Sequence, residues 1–456
     1  MIIVRRIFIP KIEDFLTSFF VDSRKYFSWM KQTLILVFTF LFLGLSAQDT
    51  LQLMHYNLLN YGNYFGDCTS STNNVNTKNA HLRKITSYIQ PDILTVNEIS
   101  DDISYHQIIL NQVLNTNEEN KYRKAVSFNF ADSYIVNQLY YNSEKLALYQ
   151  QDVVMASYRD IDVYTLYYKA GDLAQTRDTL FLTCFVAHLK AGNDASDANA
   201  RSGMVANAIS YIRNHNLSGN MLFMGDLNLY TNSEQAYINL TYTYDGERYF
   251  YDPISREGNW HNNSSFKDVH TQSTHSGSTD CYSSGGLDDR FDFILASASV
   301  LDGNDGVQLV EGSYEALGND GQHFNGSITD APVNTSAPQE IIDALYGMSD
   351  HLPVLAKIKV DAALGTGEIP DNIVAIRFAN PNNGKLRVGI SLEEVDDLYI
   401  SVYDMFGRLQ FYKQIPKHQK FIHEEFNLQF LANGTYLFVA EDALGSRKSK
   451  KFLIKK

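Results

Sequence analysis

At 456 residues, 44% hydrophobic and 13% aromatic, the chain has room for two to three domains and a sizeable core, which excludes an intrinsically disordered protein. Its formal charge of −14 is unevenly spread: residues 1–48 and 371–456 each carry +3, leaving −20 between them. That excludes a broad basic face that retains nucleic acid by neutralising phosphates; a polyanion would have to be gripped locally or through cations.

Residues 1–29 have no recognisable role and read as an upstream-start extension, with a cytoplasmic extension of a membrane anchor as the rival. Residues 30–47 read as a secretory signal peptide. Lys31 is the basic start, Leu34 to Leu45 the apolar core, and Leu45-Ser46-Ala47 the small-residue end before Gln48. The apolar run is short for a membrane span. Of three cysteines in an exported chain at least one is unpaired. Cys184 sits on an apolar strand as a buried thiol, whereas Cys68 and Cys281 lie in polar loop sequence and are the pair a disulfide would join.

A first apolar strand leads to Asn57. Leu82, Ile85 and Ile89 have helical spacing, Pro91 closes that helix, and the strand Ile93 to Val96 delivers Glu98. An alternating strand, Leu180 to Ala187, delivers His188, with Lys190 just beyond. A helix from about Ala200 to Arg213, burying Val205, Ala208, Ile209 and Ile212, leads to the strand Met221 to Met224 and to Asp226 and Asn228. The polar run Asn259 to Gly286 is too long for a plain connector and is expected to shape access to a site. Then come Arg290, Asp292 between two phenylalanines, and Ser349-Asp350-His351. His55, His81, His106, His261, His270 and His275 fit no metal-ligand spacing and read as structural or loop residues. A linker over 361–372 separates residues 49–360 from a module over 373–456. That module alternates in short strands, Leu398 to Tyr403, Leu409 to Tyr412, Tyr436 to Val439 and Lys451 to Ile454, with turns at Asn380–Gly384, Asp404–Gly407 and Asn433-Gly434.

The polar residues that end these strands suit attack on a phosphodiester, which needs a cation for the non-bridging oxygens, a base for water and a group for the leaving oxygen. Glu98, Asn57 and Asp350 are oxygen ligands of the kind Mg²⁺, Mn²⁺ or Ca²⁺ accepts. His351 is the base, and Asp292 is placed to hold its other nitrogen. His188 and Asn228 supply donors to the phosphate, and Asp226 orients the water or serves the leaving oxygen. If the substrate is nucleic acid, Lys190 and Arg290 are the basic groups nearest this chemistry.

The order and wording of these motifs over about residues 49 to 360 resemble the endonuclease/exonuclease/phosphatase superfamily, the DNase I-like fold. The resemblance implies a four-layer α/β sandwich and the same assignments for Asn57, Glu98, His188, Asp226, Asn228, Asp292, Asp350 and His351. It also implies a phosphate-reaching Tyr after a central strand, for which Tyr140 and Tyr141 compete and Tyr141 is taken. Leu59 departs from the family, many of whose members carry an acidic residue two places after the first Asn. Residues 373–456 resemble the sorting domain of proteins exported by the type IX secretion system of Bacteroidetes-type bacteria. That implies a small all-β sandwich, a secreted or surface-attached product and contact with the secretion machinery; a carbohydrate-binding or capping β-sandwich is the alternative.

Taken singly, each motif has an ordinary reading: a satisfied strand histidine at His188, a turn at Gly225-Asp226-Leu227-Asn228, a half-buried strand face at Asp292. Their joint occurrence in one order favours a secreted metal-dependent phosphodiesterase acting on nucleic acid. The same fold also hosts sphingomyelinase-type phospholipid phosphodiesterases and phosphatases, and a non-catalytic surface protein is the reading from another class.

Overall fold

The computed structural model describes residues 49–456 apart from 171–172, 174–177, 243–247, 278–279, 362–366, 369–372, 393–394, 407, 417–418 and 444–446. The expected signal peptide, the extension before it and most of the expected linker lie outside the described residues.

Strands β1 (Asp49–Tyr61), β2 (Ile93–Ser100), β3 (Tyr122–Lys124) and β4 (Ile135–Asn142) are followed by β5 (Leu146–Val154), β6 (Ile161–Tyr168), the short β7 (Asp178–Thr179) and β8 (Phe181–His188). Then come β9 (Met221–Asp226), β10 (Asp292–Ala296), β11 (Val307–Leu309), β12 (Glu315–Ala316) and β13 (Val354–Val360). One sheet runs β11-β13-β1-β2-β4-β3, with β12 added against β13, and the other runs β10-β9-β8-β6-β5. Each sheet contains one parallel pair, β1 with β2 and β8 with β9, and an intervening helix makes each crossover. These helices are α1 (Val75–Ile89), capped by Asn74, and α2 (Ala195–Asn214), which starts before the expected Ala200 because Asp194 and Asp197 form a capping box.

Period-two alternation decides what each sheet buries. Leu51 and Leu53 of β1 and Leu182, Cys184 and Val186 of β8 meet in a shared core between the sheets. The opposite parity, Met54, Tyr56 and Leu58, packs on Leu82 and Ile85 of α1 and on Ile342 and Leu345 of α3 (Gln339–Met348). Phe185, Phe223 and Leu295 pack on Met204, Val205, Ala208 and Ile212 of α2. Helix, sheet, sheet, helix is the expected four-layer α/β sandwich.

After β14 (Gly367–Glu368), which pairs with β7, come β15 (Ile373–Phe378), β16 (Lys385–Leu392), β17 (Leu398–Asp404), β18 (Leu409–Ile415), β19 (Phe421–Asn427), β20 (Gly434–Asp442) and β21 (Arg447–Ile454). They form a three-stranded sheet, β15-β16-β19, and a four-stranded sheet, β18-β17-β20-β21, around an apolar cluster of their own. This is the expected C-terminal all-β sandwich. Among the described residues no helix is long and apolar enough to cross a membrane.

Candidate active site

The inter-sheet core changes character at one end. Leu53 of β1, Ile93 of β2, Val186 of β8, Met224 of β9 and Ile294 of β10 belong to its apolar part. Following the same parity along each strand reaches Asn57, Asn97, His188, Asp226 and Asp292. Strand register aligns them, with Asn57 opposite Asn97, His188 opposite Asp226, and Asp226 opposite Asp292. All five are buried, so each polar atom needs a partner or a ligand. Glu98 breaks the alternation: its φ of 57° lies in the left-handed region and turns its carboxylate toward the same end.

His351 follows α3 and is held by Ser349, whose Oγ donates to Asn57 O at 2.7 Å and accepts from His351 N at 3.1 Å. Its Nδ1 lies 2.7 Å from Asp292 Oδ2, and its Nε2 3.7 Å from Asp226 Oδ2. The amide of Asn57 donates to Glu98 Oε1 at 3.1 Å and to Asp226 Oδ2 at 2.9 Å. His188 Nε2 stands 3.5 Å from Asp226 Oδ2 and 3.8 Å from Glu98 Oε1. Asn228 fixes the other oxygen of Asp226 through its side chain at 2.8 Å and its backbone N–H at 3.1 Å. The sequence-derived residues Asn57, Glu98, His188, Asp226, Asn228, Asp292 and His351 therefore gather in one place, with Asp350 beside them.

Electrostatics follows from that crowding. Burial works against a charged His351, but Asp292 and Asp226 override it and hold the imidazole well above its ordinary range. Burial pushes Asp226 up to about 7 against the pull of His351. Burial drives His188 well below the usual histidine range, and it lowers His55, 3.7 Å from Asp292 Oδ1, to about 4. His188 is thus a neutral imidazole, the form that ligates metals.

Glu98, His188 and Asp226 present ligand atoms that all lie within 4.8 Å of one another, a carboxylate and imidazole set that fits a divalent cation. Of the two expected carboxylate ligands, Glu98 belongs to this group and Asp350 does not. Asn57 turns its amide nitrogen to the carboxylates while its oxygen accepts from Leu59 N. Asp350 accepts from Ser283 N through Oδ2, and its Oδ1 is buried without a hydrogen-bond partner among the described residues, an open acceptor at the edge of the site.

Three expectations are corrected. Tyr141 does not reach the site: β4 runs antiparallel to β2, so Tyr141 pairs with Ile93 at the far end and is buried in the inter-sheet core, while Tyr140 packs on the opposite face. Arg290 is buried, with both terminal guanidinium nitrogens on Asp252 at 2.8 and 2.9 Å and cation–π contacts to Trp260 and Phe293. It is a core ion pair with Asp252 and does not face the substrate cleft. Lys190, partly exposed, pairs with Asp197 of the α2 capping box at 2.9 Å.

Other residues were missed. Gln272 Nε2 lies 2.7 Å from His351 Nε2. Asn97 accepts from Asp226 N and donates to Asn137, whose amide crosses to Asp162 on the other sheet. The buried Lys78, pushed down to about 7 by burial, donates to the carbonyls of Leu58 and Leu59 and so holds the turn whose Asn60 N–H binds Glu98. Asn97 was legible as a polar residue on an inner position of β2; Gln272 and Lys78 carried no local signal. Cys68 and Cys281, whose pairing the sequence left open, form a disulfide that ties the loop after β1 to the loop that carries Gln272 and Ser283, and Cys184 is a buried free thiol.

No curated protein matches the chain in sequence. Among solved structures it is similar to D. rerio TDP2 complexed with single-strand DNA product, at 13% identity over 68% of this chain and 99% of that one, with a TM-score of 0.44. It is also similar to the human Nocturnin catalytic domain with bound sulfate anion, at 13% identity over 68% and 97% with a TM-score of 0.43. An endonuclease/exonuclease/phosphatase from Beutenbergia cavernae DSM 12333 is similar at 12% identity over 89% and 100%, with a TM-score of 0.38. Residues 378–455 match the secretion system C-terminal sorting domain. The all-β module is therefore a secretion-system sorting domain, and the protein that carries it is secreted or held at the cell surface.

Proposed function

We propose that this secreted protein is a divalent-metal-dependent phosphodiesterase, specifically a nuclease that hydrolyses extracellular DNA or RNA with water activated by His351. The observation that carries the reading is the buried Asp292–His351 pair aimed at Asp226 where Asn57, Glu98 and His188 converge. A cation such as Mg²⁺, Mn²⁺ or Ca²⁺ at Glu98, His188 and Asp226, with Asn57 and Asp350 alongside, would neutralise the non-bridging phosphoryl oxygens.

The side chains supply the rest. Asp292 fixes the His351 tautomer through Nδ1 and stabilises the imidazolium formed as Nε2 takes a proton from water. The water oxygen bonds to phosphorus as the bond to the leaving oxygen breaks. The leaving oxygen takes a proton from solvent and its developing charge would be neutralised by the cation, while Asp226 stays an ionised carboxylate that orients the water. Asn228 orients Asp226 from the far side.

A phospholipid phosphodiesterase is the second reading, and one observation favours it. With Arg290 buried and Lys190 paired, neither expected cation is free for a polyanion. Exposed Tyr64, Phe65, Phe130, Tyr134 and Tyr158 stand on loops that leave the strands at the site end, a placement that suits stacked bases or a lipid surface. Purified protein with Mg²⁺, Mn²⁺ or Ca²⁺ on plasmid, single-stranded RNA and sphingomyelin vesicles decides. Cleavage of plasmid or RNA supports the nuclease, cleavage of sphingomyelin alone transfers the site to phospholipid, and inertness on all three favours a non-catalytic surface protein.

A further inference from the structure

Gln272 lies on the long polar segment between β9 and β10, and its backbone is fixed on both sides. Its N–H donates to Asp289 O at 3.0 Å, and its carbonyl accepts from Asp288 N and Asp289 N, both at 2.9 Å. On the other side Leu352 N donates to Thr271 O at 2.7 Å, and Thr274 N to Asp350 O at 3.0 Å. Only the side-chain torsions remain to move, and the residue is partly exposed.

That side chain meets the reacting nitrogen. In the neutral tautomer that serves as a base, with the proton of Nδ1 directed at Asp292 Oδ2, the lone pair of His351 is on Nε2, and the Gln272 amide nitrogen is 2.7 Å from that atom. The same nitrogen is 3.5 Å from Asp350 Oδ2, so its two hydrogens face the base and the carboxylate. A water poised to give its proton to Nε2 must lie at hydrogen-bond distance from Nε2, roughly 2.6–3.2 Å, which is the position the amide holds. Water and amide cannot both occupy it.

We propose that Gln272 is a phosphate ligand. When substrate binds, the amide yields His351 Nε2 to the attacking water and donates instead to a non-bridging phosphoryl oxygen beside it. This rests on the phosphodiesterase reading and adds to it a substrate-contacting residue that also marks where the nucleophile sits. A purely structural Gln272 would satisfy His351 and Asp350 and would matter for stability, with no effect on anion affinity.

The test is calorimetric titration of inorganic phosphate, with Mg²⁺ present, into the whole secreted protein and its Q272A, Q272N and Q272E variants. Loss of one such hydrogen bond predicts about tenfold weaker phosphate binding for Q272A and Q272N, with thermal midpoints near that of the wild type. Q272E should bind more weakly still, because a carboxylate then faces the anion. Q272N keeps an amide but not its reach, and it replaces Q272A if the latter fails to fold. Equal affinity in wild type and folded variants, or no phosphate binding by the wild type, overturns the proposal. Turnover of bis(p-nitrophenyl) phosphate separates the two readings: a wild type that binds phosphate through Gln272 but cleaves nothing leaves the ligand standing and removes the activity.

Discussion

His351 Nδ1 and Asp292 Oδ2 are 2.7 Å apart, and both side chains are buried at the end of the inter-sheet core. The contact leaves Nε2 facing the cleft and supplies the charge that stabilises an imidazolium. His351→Ala should lower turnover by about 10²–10⁴-fold at saturating metal, the usual contribution of a general base. Asp292→Asn, which keeps the shape but removes the charge, should lower it in the same direction. Steady-state rates beside thermal melts check both, and a folded His351→Ala protein with undiminished turnover would take His351 out of the mechanism.

Glu98 reaches the site through a left-handed backbone turn and lies within ligand distance of His188 and Asp226. Glu98→Gln keeps the shape and removes one negative charge, so a higher metal concentration should be needed for half-maximal rate. The maximal rate at saturating metal should change less. An unchanged metal titration would place the cation elsewhere.

Arg290 makes two hydrogen bonds to Asp252 in a fully buried ion pair. Arg290→Ala would leave a buried carboxylate unpaired, which costs about 3–5 kcal/mol. Urea denaturation should show that loss. Lys190→Ala should leave the salt dependence of substrate binding nearly unchanged, because its ammonium is committed to Asp197. A weaker salt slope in Lys190→Ala would return this lysine to the substrate.

The sequence made the site legible mainly through the order of the motifs that end its strands. Asn57, His188, Asp226 and Asp292 all lie on the parity of the inter-sheet core, but the runs Met221–Met224 and Phe293–Ala296 are apolar at both parities, so motif order and not the period marked Asp226 and Asp292. Tyr141, taken from the resemblance, has the right parity at the wrong end. In β1, β2, β8 and β9 the C-terminal end faces the site, but β4 runs the other way and presents Asn137 there. Strand direction depends on which strands pair, and local pattern does not state it. Arg290 and Lys190 lie beyond strand ends, where the pleat no longer fixes direction, and each was captured by an acid distant or off the strand, Asp252 or Asp197. Gln272 was invisible because its place beside His351 is set by pairing with residues 289 and 351, far along the chain.

His275 offers a test of stability against pH away from the strand ends. Its ring is stacked between Tyr282 and Tyr346, with centroids 4.1 and 3.8 Å away, and burial lowers it to about 4 while Asp350 pulls the other way. An unfolded chain takes up that proton near the ordinary histidine value of about 6.5. Between these two values the unfolded state binds more protons than the folded one, so this contribution to stability is complete above about 6.5 and is lost as pH falls toward 4. His55, also lowered to about 4, acts with the same sign, whereas Asp226, raised to about 7, acts oppositely and blurs the profile of the whole protein. His275→Phe keeps a ring between the two tyrosines and removes the titration. With EDTA present, the drop in melting temperature from pH 7.5 to pH 5 should be smaller in this variant than in the wild type, and an equal drop would mean that the folded protein protonates His275 as readily as the unfolded chain does.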